Sequence, residues 1–168
     1  MIIIIIYTII SFLLDALTTN IMNTIITNPS YFRTIYTIIC IVIIYNYFDN
    51  DNKYLKILLI LGILFDIVYT NTLLLNIFIF IVIYLLIKYI NNYIPNNLLT
   101  INIKSLLAIL IYHILSYFIL LLAHYETYTS KLLWLILTRS IIMTIIYTSV
   151  SYLVIKKIYY KKYNKKIK

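Results

Sequence analysis

Few residues in this chain have the chemistry to act on a substrate. Its two histidines, His113 and His124, stand eleven positions apart. On a helix that spacing gives one face but a separation of ~16 Å, too far to share a metal ion. Ser105 and Ser116 lie on the same apolar stretch, and Ser116, three residues from His113, is placed to hydrogen-bond with it. Neither an acidic orienter nor an oxyanion device is evident beside them, and helical hydroxyls more often bond back to a backbone carbonyl. The chain has no HExxH, no paired acidic residues, no SxxK, no GxSxG and no glycine-rich phosphate loop. The expectation is therefore no catalytic residue, no metal and no cofactor. Cys40 is the single cysteine and cannot form an internal disulfide.

The chemistry that the sequence does offer is charge inside apolar segments. Asp15, Asp66 and Arg139 each interrupt a run of aliphatic residues. At the centre of a membrane helix such a residue costs ~2.5–3.5 kcal/mol, so each needs a partner or water. At ~1.5 Å per residue Asp15 lies roughly 20 Å from the start of its helix, and Arg139 roughly 13 Å from the start of the last one. If those two helices run in opposite directions, the depths nearly coincide in a ~30 Å hydrocarbon core. Asp66 falls about one turn before the middle of a hairpin, in the same half. The expectation is that Arg139 pairs with Asp66 or Asp15 and ties the first, third and last helices together. Separate snorkelling to the headgroups is the alternative.

The elements that must hold these residues follow from composition. The 168 residues are 64% hydrophobic and 11% charged, with one glycine and two prolines. That is too little charge to cover a soluble domain, and no linker divides the chain, so residues 1–168 are expected to form one transmembrane domain. The apolar runs are continuous rather than alternating, which favours helices over a barrel. The excess of Ile, Asn, Lys and Tyr points to an AT-rich genome. Met1 leads straight into IIIIIYTII with no basic region, so no cleavable signal peptide is expected.

Polar clusters divide the chain into six segments. They are Ile2–Thr24, Tyr31–Phe48, a hairpin over Ile57–Ile87 split at Tyr69–Thr72, Ser105–Tyr125 and Ser130–Ile155. Pro29 lies just before the second, as a helix starter. The hairpin region is long for one span and short for two, and a single tilted helix there would give five spans. With both termini in the cytoplasm, the inner side holds Lys53, Lys56, Lys88, Lys104 and the seven lysines of the 156–168 tail. Those are eleven of the fourteen basic residues, a strong positive-inside signal. The net charge of +9 is accordingly read as a juxtamembrane segment that attracts anionic lipid, not as a nucleic-acid surface.

At the hairpin, LLILGILFDIVYTNTLLLNIFIFIVIYLLIKYI resembles the signature region of the rod shape-determining protein MreD family. Gly62 and Asp66 match a glycine four residues before an aspartate, and Asn76 matches a polar residue opening the next helix. Asp15, Pro29, Arg139 and the basic tail are similar to further family positions. A family glycine shortly before Asn76 is replaced by Leu74 or Leu75, and a proline after the arginine is missing. The resemblance implies a multi-pass protein of the bacterial cytoplasmic membrane that is not an enzyme. It implies action with the bitopic scaffold MreC, and through it with MreB filaments and peptidoglycan synthases. The rival reading is a substrate-binding subunit of an energy-coupling-factor vitamin transporter, also a six-span bundle. Against it stand short external loops and no coupling motif of small residues, with alanine only at 16, 108 and 123.

Overall fold

The structure is a computed structural model that describes residues 2–22, 34–48, 50–70, 74–122 and 130–164. Among these residues it is all-α, with six helices and no strand. They are α1 (Ile2–Met22), α2 (Tyr36–Tyr45), α3 (Asp51–Phe65), α4 (Leu75–Tyr93), α5 (Leu98–Leu122) and α6 (Ser130–Asn164), with one π-helical turn, Asp66–Thr70, continuing α3. Long and apolar enough to cross a membrane are the stretches Leu75–Tyr93, Leu98–Ile119 and Leu133–Tyr159 of α4, α5 and α6. The apolar parts of α1 and α2, Ile3–Thr18 and Tyr36–Tyr45, are shorter.

The core is built around α2. Its sequence, YTIICIVIIY, is apolar on every side, and each residue from Tyr36 to Ile44 is buried. A helix with no polar face has to be enclosed, and α1, α4, α5 and α6 enclose it. Cys40 lies in this core with its thiol 3.7 Å from Thr8 Oγ1 on α1. Among the described residues of the second segment, expected over Tyr31–Phe48, the helix runs from Tyr36 to Tyr45, and Ile35 just before it is extended.

Of the break expected at Tyr69–Thr72, Tyr69 and Thr70 are still in the π-helical turn, and Asn71 and Thr72 lie outside the described residues; α3 and α4 pack against each other as a hairpin. The α3 start is fixed by Asn50, whose side chain accepts from Asn52 N at 2.8 Å. Pro95 prevents α4 from continuing. The fifth helix begins at Leu98, seven residues before the expected Ser105. Asn97 N donates to Thr100 Oγ1 at 2.8 Å, one half of a capping box at the helix start. Lys104, expected just ahead of this span, therefore lies within α5 and is 1% exposed. The last helix runs past Ile155 through the basic tail to Asn164.

Hydrogen bonds between helices give their directions. Asp15 reaches the start of α2, while Thr8 meets Cys40 further along it. Asp66 reaches the start of α4, and Lys88 returns to Asp51 at the start of α3. Asn102 and Ser149 join the start of α5 to the late part of α6. Neighbours in sequence therefore run antiparallel. The start of α1, the C-terminal ends of α2, α4 and α6, and the starts of α3 and α5 share one end of the bundle.

Candidate functional site

The hairpin between α3 and α4 holds the densest buried polar cluster. The position preceding α4 is Leu74, which has no side chain able to cap a helix. Asp66 supplies the cap from the other arm. Its Oδ1 accepts from Asn76 N at 3.0 Å and Asn76 Nδ2 at 2.8 Å, with Thr70 Oγ1 at 3.4 Å. A carboxylate there satisfies orphan amides and faces the positive end of the helix dipole. The π-helical turn starting at Asp66 widens the backbone, and such turns recur at functional positions.

Asn76 has no exposed surface and is fully engaged. Its Nδ2 also donates to Thr70 Oγ1 at 2.9 Å, and its Oδ1 accepts from Tyr112 OH at 3.0 Å. One side chain thereby connects α4, the π turn and α5. Below it, Gly62 lets the two arms touch. A Cβ at Gly62 would stand 2.8 Å from Ile77 Cγ1 and 2.9 Å from Ile77 Cα. The chain enters α4 through Leu74 with φ of +68°, a left-handed conformation that suits glycine and strains leucine.

The first hairpin solves the same problem in the same way. Ile35, preceding α2, has no capping side chain. Asp15, buried on α1, accepts from Tyr36 N at 2.9 Å through Oδ1 and from Thr37 N at 2.8 Å through Oδ2. The hairpins are tied together where Tyr69 OH donates to Phe12 O at 2.6 Å, with Phe12, Phe65 and Tyr69 in edge or tilted ring contact.

Gly62, Asp66 and Asn76 are thus brought together, Asp15 forms a second cap, and Arg139 joins neither. The expected pairing of Arg139 with Asp66 or Asp15 is not made; the ion pair among the described residues is Lys88–Asp51, at 2.6 Å. The physical reason is that both carboxylates accept from helix N-terminal amides. Arg139 is half-buried on α6, and its Nη1 is buried with no hydrogen-bond partner. Pro29 and His124 lie outside the described residues. Ser116 Oγ makes no hydrogen bond, so the contact with His113 allowed by spacing is not formed.

Sequence reasoning missed Thr70, Tyr112 and Lys104. Thr70 carried a usable signal, being four residues from Asp66. Tyr112 carried none, as one of nineteen tyrosines. At the opposite end, Lys104 Nζ donates to Asn91 Oδ1 and, at 2.5 Å, to Asn96 Oδ1, while Asn91 Nδ2 reaches Asn46 Oδ1 at 3.2 Å. There Lys88 Nζ lies beside Asp51, and that ammonium holds the Asp51 carboxyl below its usual range. Chemically, these arrangements neutralise helix ends and fix how helices meet. Comparison of the chain with protein-family models, curated proteins and solved structures finds no match.

Proposed function

We propose that the chain is a non-enzymatic, MreD-like component of the bacterial rod-shape machinery, acting in the cytoplasmic membrane. The observation that carries this reading is the hairpin joint. Of the residues on which the resemblance rests, Asp66 and Asn76 hydrogen-bond there, and Gly62, one turn before Asp66, lets α3 approach Ile77, the residue after Asn76. The departure from the family pattern is also informative. Leu74, one of the two leucines that stand where the family has a glycine, holds the left-handed conformation that a glycine takes without strain.

In this reading the six helices form a transmembrane bundle with both termini in the cytoplasm. The lysines support that direction: Lys88, Lys104, Lys156 and Lys157 lie toward the end shared by the start of α1 and the late part of α6. At ten residues α2 covers about half of a ~30 Å hydrocarbon core, which suits an enclosed rather than a lipid-facing helix. The partners are a bitopic MreC-like scaffold and, through it, MreB filaments and peptidoglycan synthases. The basic tail attracts anionic lipid. Short connections leave recognition to the outer faces of the helices.

The test is depletion of the chain in its own cells, with in-cell crosslinking of a tagged copy. Rounding of rod-shaped cells and recovery of the scaffold with cell-wall synthases are expected. Recovery of a membrane coupling subunit with two ATPases, and unchanged shape, would replace this reading with the vitamin-transporter one.

A further inference from the structure

A seam of hydroxyl groups runs between α1, α2 and α6. At one level Thr34 Oγ1 and Thr144 Oγ1 meet at 2.8 Å. Further along, Ser11 Oγ and Tyr147 OH meet at 3.0 Å, the Tyr7 hydroxyl is enclosed beside Tyr147 and Ser151, and the Cys40 thiol lies against Thr8. Thr37 and Thr148 have no exposed surface, and neither hydroxyl makes a hydrogen bond among the described residues. Helical spacing places both on this seam. Thr37 is three residues before Cys40 on α2, and Thr148 is four after Thr144 and three before Ser151 on α6, so each shares the face that those residues mark. The Tyr36 and Tyr147 rings, edge to face at 4.7 Å, hold α2 and α6 together at this level.

A helical threonine commonly bonds back to the carbonyl one turn earlier, as Thr8 and Thr144 do here. Thr37, in the first turn of α2, has no helical carbonyl behind it, and Thr148 does not use the one it has. A buried hydroxyl left unsatisfied opposes folding. We infer that the level of Thr37 and Thr148 is a binding site for ordered water, which ties α6 to the first hairpin through bridging hydrogen bonds. The chemistry of the lining selects that occupant. Hydroxyls both donate and accept, and water matches both roles. A sodium or potassium ion takes acceptors alone and needs a countercharge, whereas the two Asp15 oxygens accept from the amides of Tyr36 and Thr37. Ser11 lies nine residues beyond Ile2, roughly 14 Å along α1 and near mid-depth of a ~30 Å hydrocarbon core. Water at that depth is resident rather than part of the bulk. The inference goes beyond the rod-shape reading and does not rest on it.

The test is X-ray radiolytic hydroxyl-radical labelling of the full chain in lipid nanodiscs, read by mass spectrometry. Radicals formed from a resident water oxidise the side chains around it and spare dry ones. Tyr7 and Tyr147 should be oxidised several times faster than Tyr54, which is fully buried and whose hydroxyl donates to Ile41 O at 3.1 Å. Combining Thr37→Val with Thr148→Val keeps the side-chain shapes, removes both hydroxyls and should bring Tyr7 and Tyr147 down to the Tyr54 rate. Each single valine variant should lower the melting temperature by about 2–4 °C, and the pair should lose less than the sum because the hydroxyls share bridging water. Wild-type rates no higher than that of Tyr54, or rates unmoved by the double change, overturn the inference. So does a melting temperature raised by the single valine changes, which marks a dry seam. A melting temperature that climbs with sodium or potassium chloride but not with choline chloride replaces water with a cation. If the valine variants fail to fold, the wild-type comparison of Tyr7 and Tyr147 with Tyr54 decides.

Discussion

The two buried aspartates act as remote caps. A cap normally comes from the residue just before the helix, but Ile35 and Leu74 occupy those places and cannot serve. Asp66→Leu removes the acceptor for Asn76 N and Nδ2, leaving buried donors unsatisfied, and should cost about 3 kcal/mol. Asp66→Asn keeps one oxygen and loses the charge, so it should cost nearer to about 1 kcal/mol. Thermal unfolding in detergent reads the order, and equal losses would refute a cap that works through charge. The exposed Asp51–Lys88 pair behaves differently. The folded-state pKa of Asp51 is lowered from 3.8, so its contribution is present above that value and fades as pH falls through the lower one. Stability should be insensitive to this pair between about pH 5 and pH 9 and should drop in stronger acid, a drop that Asp51→Asn abolishes.

At the level of helices, the hairpin joint combines a close approach with a strained entry, and the two respond oppositely to substitution. Gly62→Ala sets a methyl against the Ile77 backbone, which cannot rotate away as a side chain can. Overpacking of this kind costs about 1–3 kcal/mol and should lower the melting temperature. Leu74→Gly relieves about 1–2 kcal/mol of left-handed strain and loses about 0.4–1 kcal/mol through a more flexible unfolded chain. Since Leu74 is 68% exposed, little packing is lost, and a net gain of up to about 1 kcal/mol is expected. A melting temperature lowered by Leu74→Gly would refute the strain. Helix existence was legible in the sequence because apolar runs coincide with the helices, and the hairpin of α3 and α4 follows the polar residues that interrupt one such run. The α5 start was not, since the Asn97–Thr100 cap had to be weighed against an apolar run that becomes clear only after Lys104. The partners of Asp15 and Asp66 were illegible for another reason. Sequence shows that a buried carboxylate needs a donor, but not that an amide at a helix start lies nearer than Arg139.

Across the whole molecule, charge is sorted by helix polarity. Asp15 and Asp66 sit at the N-terminal ends of α2 and α4, and Lys88 and Lys104 lie toward the C-terminal end of α4. Each sign faces the end of the dipole that it favours. The same sorting matches the positive-inside direction proposed for the bundle. Single cysteines placed at Asn71 and Tyr93 should then be labelled from outside and inside respectively, with buried Cys40 giving little background. Protection of Asn71 from an impermeant outside label would count against two crossings.

The two caps also have an order in time. Each closes within its own hairpin, joining positions 21 and 10 residues apart for Asp15–Tyr36 and Asp66–Asn76. Short loops of this kind form at low entropic cost. As the chain leaves the ribosome, residue 37 completes the first clasp and residue 76 the second, before Tyr112 or α6 has emerged. Translation can therefore deliver two finished hairpins, and α5 and α6 close over a core whose helix ends are already neutralised.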